Sequence, residues 1–377
     1  MRTAVDPTGD YRFLSAPDFL NADIGDLRKT PRWRPGMPNS VSPGWRSSLA
    51  TVMRTWVDEA PDDVLVAGDT VNGHWGRDDS KTGLFGPVNN DAQRRDAIRR
   101  AARPYYRQWV ERFSSRGLPV HVAVGDHELG DNPWNGKPTA DFKRRSLDLF
   151  KREFARYALR PNRYTMRPPG PAHNTAYAKY LHDNLLLVTV DVFKRTGTNV
   201  IPELDSQQLA WLNRLLGRAK SKVDWIVVQG HTPVAQPVRK DSTSGLTYRG
   251  GTSSAFWQTM ARHGVDVYLN GEVHDITVLR RNGITQISHG GRLADQSGRG
   301  VGNQSFLVAD LEGDQMTMRM RRFRPRTTSG ARKLWQTIVP QRPVYSTTIA
   351  PDPACVGTLA LSDDNRLLQS SGLLRPR

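Results

Sequence analysis

The sequence predicts an α/β fold in which helices cover a sheet. Strand-like apolar runs alternate with helix-like segments along most of the chain, the usual sign of that class. Several runs end in a carboxylate or histidine, and four of those ends are preceded by a glycine. Ligands of open α/β sheets gather just beyond the strand C-termini, so the same pattern also marks a candidate site.

The first run, Tyr11–Ala16, leads into Asp18. A loop rich in Pro, Arg and Ser covers Leu27–Pro43, followed by a helix over Trp45–Glu59. Asp63–Ala67 then leads into Gly68–Asp69, and a second long loop covers Trp75–Asn90. Loops of that length in a compact domain tend to serve function. A helix is expected over Asp91–Phe113, with Pro104 breaking or kinking it because proline lacks the N–H. Pro119–Val124 leads into Gly125–Asp126–His127–Glu128, and a helix over Asp141–Tyr157 follows. Leu185–Val190 ends at Asp191. The helix Ser206–Lys220 has Asp205 as its N-cap and Gly217 near its end. Trp225–Gln229 leads into Gly230–His231, the helix Ser253–His263 stops at Gly264, and Val265–Asn270 leads into Gly271–Glu272–Val273–His274. From about Ile276 the pattern changes. Asp275–Arg280, Ile284–Ser288, Gln304–Leu311 and Gln315–Phe323 read as successive antiparallel strands that complete a second sheet. Residues 1–348 thus read as one domain, and residues 349–377 as a tail with no element assigned.

The chain has 377 residues, a mean hydropathy of −0.59 and a formal charge of +17 from 54 Lys+Arg against 37 Asp+Glu. Such a balance attracts phosphates, nucleic acid and anionic surfaces. Its bland source is arginine at solvated positions in a GC-rich genome. Arg95, Arg99, Arg103 and Arg107 nevertheless stand four apart, in one stripe if helical, and five arginines crowd residues 319–326. Neither place interleaves aromatics in a way that demands nucleic-acid binding. The single cysteine, Cys355, excludes an intrachain disulfide and a cysteine metal site. No signal peptide shows in MRTAVDPTGD, and a processed secreted chain would look the same, so the compartment stays open. No apolar stretch is long enough to span a bilayer.

Each site residue alone has a dull explanation: Asp69 as a turn or cap, His231 as a loop residue. The repeat is what informs, since a glycine before the side chain lets the backbone turn sharply and a metal approach closely. Read in order, the chain resembles the calcineurin-like metallophosphoesterase superfamily from about Tyr11 to Arg322. That pattern runs Asp-x-His, Gly-Asp, Gly-Asn-His-(Asp/Glu), a lone His, then Gly-His-x-His. The resemblance implies a four-layer αββα sandwich with a dinuclear metal site at the strand ends. It makes Asp69 the bridging carboxylate, His127 the catalytic histidine, His231 a ligand of the second metal and His274 a ligand of the first. Asp18 is the first-motif aspartate, with Asp23 and Asp26 as neighbouring competitors.

Three departures stand out. The first motif reads Asp18–Phe19–Leu20, without its histidine, so that Asn21 or Asp23 is left to fill the place. Asp126 replaces asparagine, and Glu272 replaces the first histidine of Gly-His-x-His. The cage is therefore more acidic, and suits Mn, Fe, Mg or Ca better than Zn. A site filled by one metal is the alternative. The mechanism the resemblance implies has two cations about 3.5–4 Å apart sharing a bridging hydroxide, while His127 protonates the leaving group or holds the phosphate. Glu128 is expected to orient His127 or its loop, or to be a solvated acid. His74 and His289 are candidates for substrate contact, Asp191 for support of the cage, and Arg77, Arg249 and Arg292 for phosphate. The leading reading is hydrolysis of a small phosphate mono- or diester. A nuclease-like phosphodiesterase has the charge in its favour and the lack of a binding module against it; a non-catalytic metal- or phosphate-binding protein is the third. The missing tyrosine after Gly68–Asp69 argues against a purple acid phosphatase in the strict sense. Oligomeric state is not legible.

Overall fold

A computed structural model describes the chain except residues 1–10, 20–22, 38, 42, 78–82, 292–303, 324, 328–346 and 350–352. The central strands are apolar on both faces, and such strands need cover on both. In chain order the first half comprises β1 (Tyr11–Ser15), α1 (Pro43–Asp58), β2 (Asp63–Val66), α2 (Asp91–Ser114) and β3 (Val120–Val122). Then come α3 (Pro138–Arg145), α4 (Leu147–Phe154), β4 (Tyr177–His182), β5 (Leu185–Thr189), β6 (Phe193–Arg195) and β7 (Val200–Pro202). The second half continues with α5 (Ser206–Ala219), β8 (Trp225–Gln229), α6 (Ala255–Arg262), β9 (Val267–Asn270), β10 (Thr277–Arg281) and β11 (Ile284–Ser288). It ends with β12 (Ser305–Glu312), β13 (Gln315–Arg322), β14 (Pro325–Thr327), β15 (Thr347–Ile349), β16 (Ala354–Ser362) and β17 (Leu367–Gly372).

Two sheets stack face to face. One has the order β17-β16-β13-β12-β1-β2-β3, the other β10-β11-β9-β8-β5-β4. Phe13 and Leu65 of the first meet Leu187, Val227 and Leu269 of the second in a core between the sheets. Their strand neighbours Leu14, Val64 and Val66 point the other way, into a core shared with Trp56, Trp109 and Phe113 of α1 and α2. Leu186, Ile226 and Val228 likewise belong with Leu212 of α5 and with Trp257 and Met260 of α6. The period of two along each strand thus feeds alternate residues to a sheet and to a helix layer, giving the expected αββα sandwich. β1, β2 and β3 run parallel, as do β5, β8, β9 and β11, so their C-terminal ends share one edge.

Several sequence expectations need correction. Pro104 does not end α2, which runs from Asp91 to Ser114 with the proline inside it. Buried Ala101 and Ala102 before it and Tyr105, Tyr106 and Trp109 after it hold both halves on one core. The single helix expected over Asp141–Tyr157 is α3 and α4, divided at Ser146 and followed by one π turn, Ala155–Leu159. The four late strands do not all join the second sheet. β10 and β11 do, but β12 lies antiparallel to β1 and carries β13 into the first sheet. The segment left unassigned at the C-terminus supplies β16 and β17, the outer strands of that same sheet.

Candidate metal centre

The strand ends place the acidic side chains by an uncommon backbone. Asp18, Asp69, Glu272 and His274 all adopt left-handed conformations, with φ of 55°, 60°, 68° and 54°. Each such non-glycine residue costs about 1 kcal/mol or more and persists only where its surroundings impose it. The glycines beside them have a different task, which is room. A Cβ at Gly125 would lie 2.1 Å from Asp69 Oδ1, one at Gly68 would lie 2.6 Å from His231 Nδ1, and one at Gly271 would lie 2.7 Å from Asp18 Oδ1.

His231 stands at the centre. Its Nδ1 lies 2.7 Å from the Ala67 carbonyl, which fixes the protonated nitrogen and leaves Nε2 as the inward atom. Around Nε2 lie Asp126 Oδ1 at 3.1 Å, Asp69 Oδ1 at 3.4 Å and Glu272 Oε2 at 3.5 Å. Asp18 Oδ1 is 4.0 Å from Nδ1 of the same ring. All five residues are buried. Glu272 is aimed by its other oxygen: Oε1 accepts from Thr243 Oγ1 at 2.7 Å, Ser244 Oγ at 2.8 Å and the Leu246 N–H at 2.9 Å. Asn132 Nδ2 donates to Asp126 Oδ2 at 2.7 Å and does the same for that carboxylate.

So many carboxylates away from water repel one another. Burial above all pushes Asp69 up to about 7, and raises Asp18 well above the carboxylate range. Asp18 Oδ2 is buried with no hydrogen-bond partner among the described residues. A Cβ at Gly290 would sit 2.4 Å from that oxygen. Ligand-type atoms within 4.8 Å of one another form groups that overlap at Asp69 and His231: Asp18, Asp69 and His231; Asp69, Asp126 and His127; Asp126, His231 and Glu272. An orphaned buried oxygen, mutual carboxylate repulsion and a cluster of hard donors all fit bound cations.

His127 borders this cluster. Its Nδ1 is 3.0 Å from the Asn72 carbonyl, and Nε2 faces a gap 3.9 Å from both Asp69 Oδ2 and Asp131 Oδ1. Burial opposes its charge, but Asp69, Asp131 and Asp126 outweigh that and raise its imidazole to about 10. His74 lies alongside, rings 5.9 Å apart, with its Nε2 2.8 Å from Asp131 Oδ2.

The other sequence expectations divide. His274 is buried, two residues after Glu272, with Nδ1 3.1 Å from the Asp241 carbonyl; the mutually close groups found among the described residues do not include it. Glu128 is no solvated acid. It is fully buried and accepts from the backbone N–H groups of Asp69, Thr70 and Gly125 and from Thr70 Oγ1, at 2.7 to 2.8 Å. Asp23 is not drawn into the cage; it accepts from Asn72 N and Gly73 N, holding the carbonyl that orients His127. Asn21 and Arg292 lie outside the described residues. Asp191 supports no ligand directly: it pairs with Lys151 Nζ at 2.6 Å and receives the Phe193 N–H, while the Phe193 ring lies beside His231. His289, expected near substrate, is fully buried with Nε2 3.0 Å from Ser15 Oγ on β1. Arg249 is exposed beside Glu203, and Arg77 closes the turn after His74. Thr243 and Ser244 escaped the sequence reading, for nothing local marks a hydroxyl as the partner of an acid 28 or 29 positions away.

The sequence profile of the calcineurin-like phosphoesterase family matches residues 22–275. No curated protein sequence matches the chain. Among solved structures it is similar to a dimetal phosphatase from Danio rerio, at 17% identity and a TM-score of 0.48, covering 84% of this chain and 96% of that one. It is also similar to a purple acid phosphatase from yellow lupin seeds, at 12% identity and a TM-score of 0.48, covering 84% of this chain and 52% of that one. The GAP50 anchor in the inner membrane complex of Plasmodium matches at 14% identity and a TM-score of 0.45, with 83% and 84% covered. With a profile matched over two thirds of its length, the chain belongs to the calcineurin-like phosphoesterase family.

Proposed function

We propose that the chain hydrolyses phosphate mono- or diesters at a centre for two cations. The observation that carries this reading is the convergence of Asp18, Asp69, Asp126, Glu272 and His231 on one buried point at the strand ends, with His127 beside it. Asp18, Asp69 and His274 would hold one cation; Asp69, Asp126, His231 and Glu272 would hold the other. Cations held there polarise phosphoryl oxygens and lower the pKa of water, the two services a phosphate ester needs. The donor set favours Mn, Fe, Mg or Ca over Zn.

His127 supplies the proton. Its Nδ1–H is spent on the Asn72 carbonyl, so Nε2 faces the gap and carries the exchangeable proton. Held so, and facing the gap beside Asp69, His127 serves as acid for the leaving oxygen. His74 lies beside His127 and shares Asp131 with it, which supports a role for His74 near the substrate.

The purified protein is tested on p-nitrophenyl phosphate and bis-p-nitrophenyl phosphate, with Mn²⁺, Mg²⁺, Ca²⁺ and Fe supplied separately. Turnover of one ester, dependent on metal, is expected; none with any metal removes the reading. His127→Ala is expected to lower kcat by about 10²–10⁴-fold with metal content retained. Full activity in that variant on both esters would exclude the acid role. Glu272→Ala is expected to lower bound metal from two equivalents towards one, and Glu272→His to shift preference towards Zn²⁺ or Mn²⁺. Metal content unmoved by both changes takes Glu272 out of the cage.

A further inference from the structure

The surplus of positive charge is not evenly distributed over the folded surface. Arg95, Arg99, Arg103 and Arg107 lie on α2, which passes Pro104 unbroken, so one helix face repeats a guanidinium about every 6 Å. A groove of about 520 Å³ opens against that face. Arg103 and Arg107 line it from α2, and Arg156 and Arg160 line it from the π turn and the residue after it. All four are exposed.

The groove continues in both directions. Arg156 and Arg160 also line a section of about 670 Å³ that reaches Arg163 and Arg167. Arg103 and Arg107 also line a section of about 610 Å³ that reaches Lys29 and Arg32. Among the described residues, the only carboxylates lining these three sections are Glu111 and Glu153. No ion pair among the described residues engages Arg103, Arg107, Arg156 or Arg160. Facing rows of like charge repel, and the two carboxylates that line the groove are outnumbered by the arginines on its walls.

The shape and chemistry narrow the partner. Guanidinium forks on both walls match the oxygens of successive phosphates. A concave groove with guanidiniums on both walls suits a single strand, whereas a lipid surface is flat. Tyr157 is half-buried with Arg156 over its ring at 5.2 Å, so aromatic surface for reading bases is scarce. We propose that this groove binds the phosphodiester backbone of single-stranded nucleic acid, irrespective of base sequence. α2 is fixed to the loop that carries His74, through Arg94 Nη1 to the Gly76 carbonyl at 3.0 Å and Arg100 Nη1 to the Phe85 carbonyl at 2.7 Å. Groove and metal centre therefore belong to one framework, although no groove residue is a proposed ligand.

The test is fluorescence anisotropy of a labelled oligothymidylate with the whole protein in EDTA, across a series of salt concentrations. Working without metal separates binding from hydrolysis, so failure here leaves the phosphoesterase reading intact. Affinity is expected to fall log-linearly with salt, by about 0.7 in slope for each phosphate contacted. Changing Arg103, Arg107, Arg156 and Arg160 together to Glu should weaken binding on the order of 100-fold at low salt and flatten the slope by about 3. The control Arg214→Glu/Arg218→Glu, on α5 in the opposite helix layer, should bind as the parent does. Should the glutamate variant fail to fold, the same four positions changed to Gln are read instead. Parent-like binding by the folded variant, an equal loss in the control, or uptake of phosphatidylserine vesicles without retention of the strand would each overturn the proposal.

Discussion

Asp69→Ala is expected to remove turnover and to release metal from both halves of the centre. Asp69 belongs both to the group with Asp18 and to the group with Asp126, so it is the residue through which two cations would be held together. Alanine there leaves Asp18 on one side and Asp126 with Glu272 on the other, too far apart in role to share a bridging oxygen. Metal ions contribute several kcal/mol to such reactions, and each 1.36 kcal/mol is a factor of ten. A loss in kcat/KM on the order of 10³-fold or more follows. Steady-state kinetics on both nitrophenyl esters, together with elemental analysis, check it. A variant within tenfold of the parent and still holding two equivalents would end the bridging role.

Glu128→Ala is expected to be the most damaging change to stability around the centre. The carboxylate is fully buried and satisfies three backbone N–H groups and the Thr70 hydroxyl. Those donors come from two turns, Asp69–Thr70 after β2 and Gly125 after β3, so the side chain staples the turns that carry Asp69 and Asp126. A buried donor left unmet costs about 1–3 kcal/mol. The losses overlap in one network, so about 3–5 kcal/mol in total is expected rather than their full sum. In a chain of 377 residues that lowers Tm by roughly 5 °C. Glu128→Gln should fall between, since an amide keeps one acceptor oxygen and turns a donor towards the rest. Thermal unfolding decides: a drop of less than about 2 °C in Glu128→Ala means that the staple is not needed.

The sequence made the sheet strands and their ends legible for a physical reason. Strands covered on both faces must be continuously apolar, and Leu185–Thr189 and Trp225–Gln229 are buried at every residue. Their ends are then marked by the polar residues that follow, as with Asp69 and His231. β17 lacked that signal because it is an edge strand, and none of its residues is buried. The destination of β12 was illegible too, for its period announces a strand but not which sheet receives it.

The candidate ligands were legible, and the groups that aim them were not. Asp69, Asp126, His231 and Glu272 each follow a glycine at a strand end, and Asp18 follows the first apolar run. Thr243 and Ser244 reach Glu272 across 29 and 28 positions, and Asp23 reaches Asn72 across 49. Residues so distant in sequence leave no periodicity behind. Glu128 stayed ambiguous between orienting its loop and being a solvated acid, because two of the N–H groups that decide it, at Asp69 and Thr70, lie 59 and 58 positions away.

The left-handed backbone at Asp18, Asp69, Glu272 and His274 sets function against folding at the same four positions. Glycine would adopt those conformations without strain, so a folding screen alone would select it and erase the cage. Variants chosen for thermostability in this protein therefore need a metal-content check at these turns, since glycine there would remove candidate ligands.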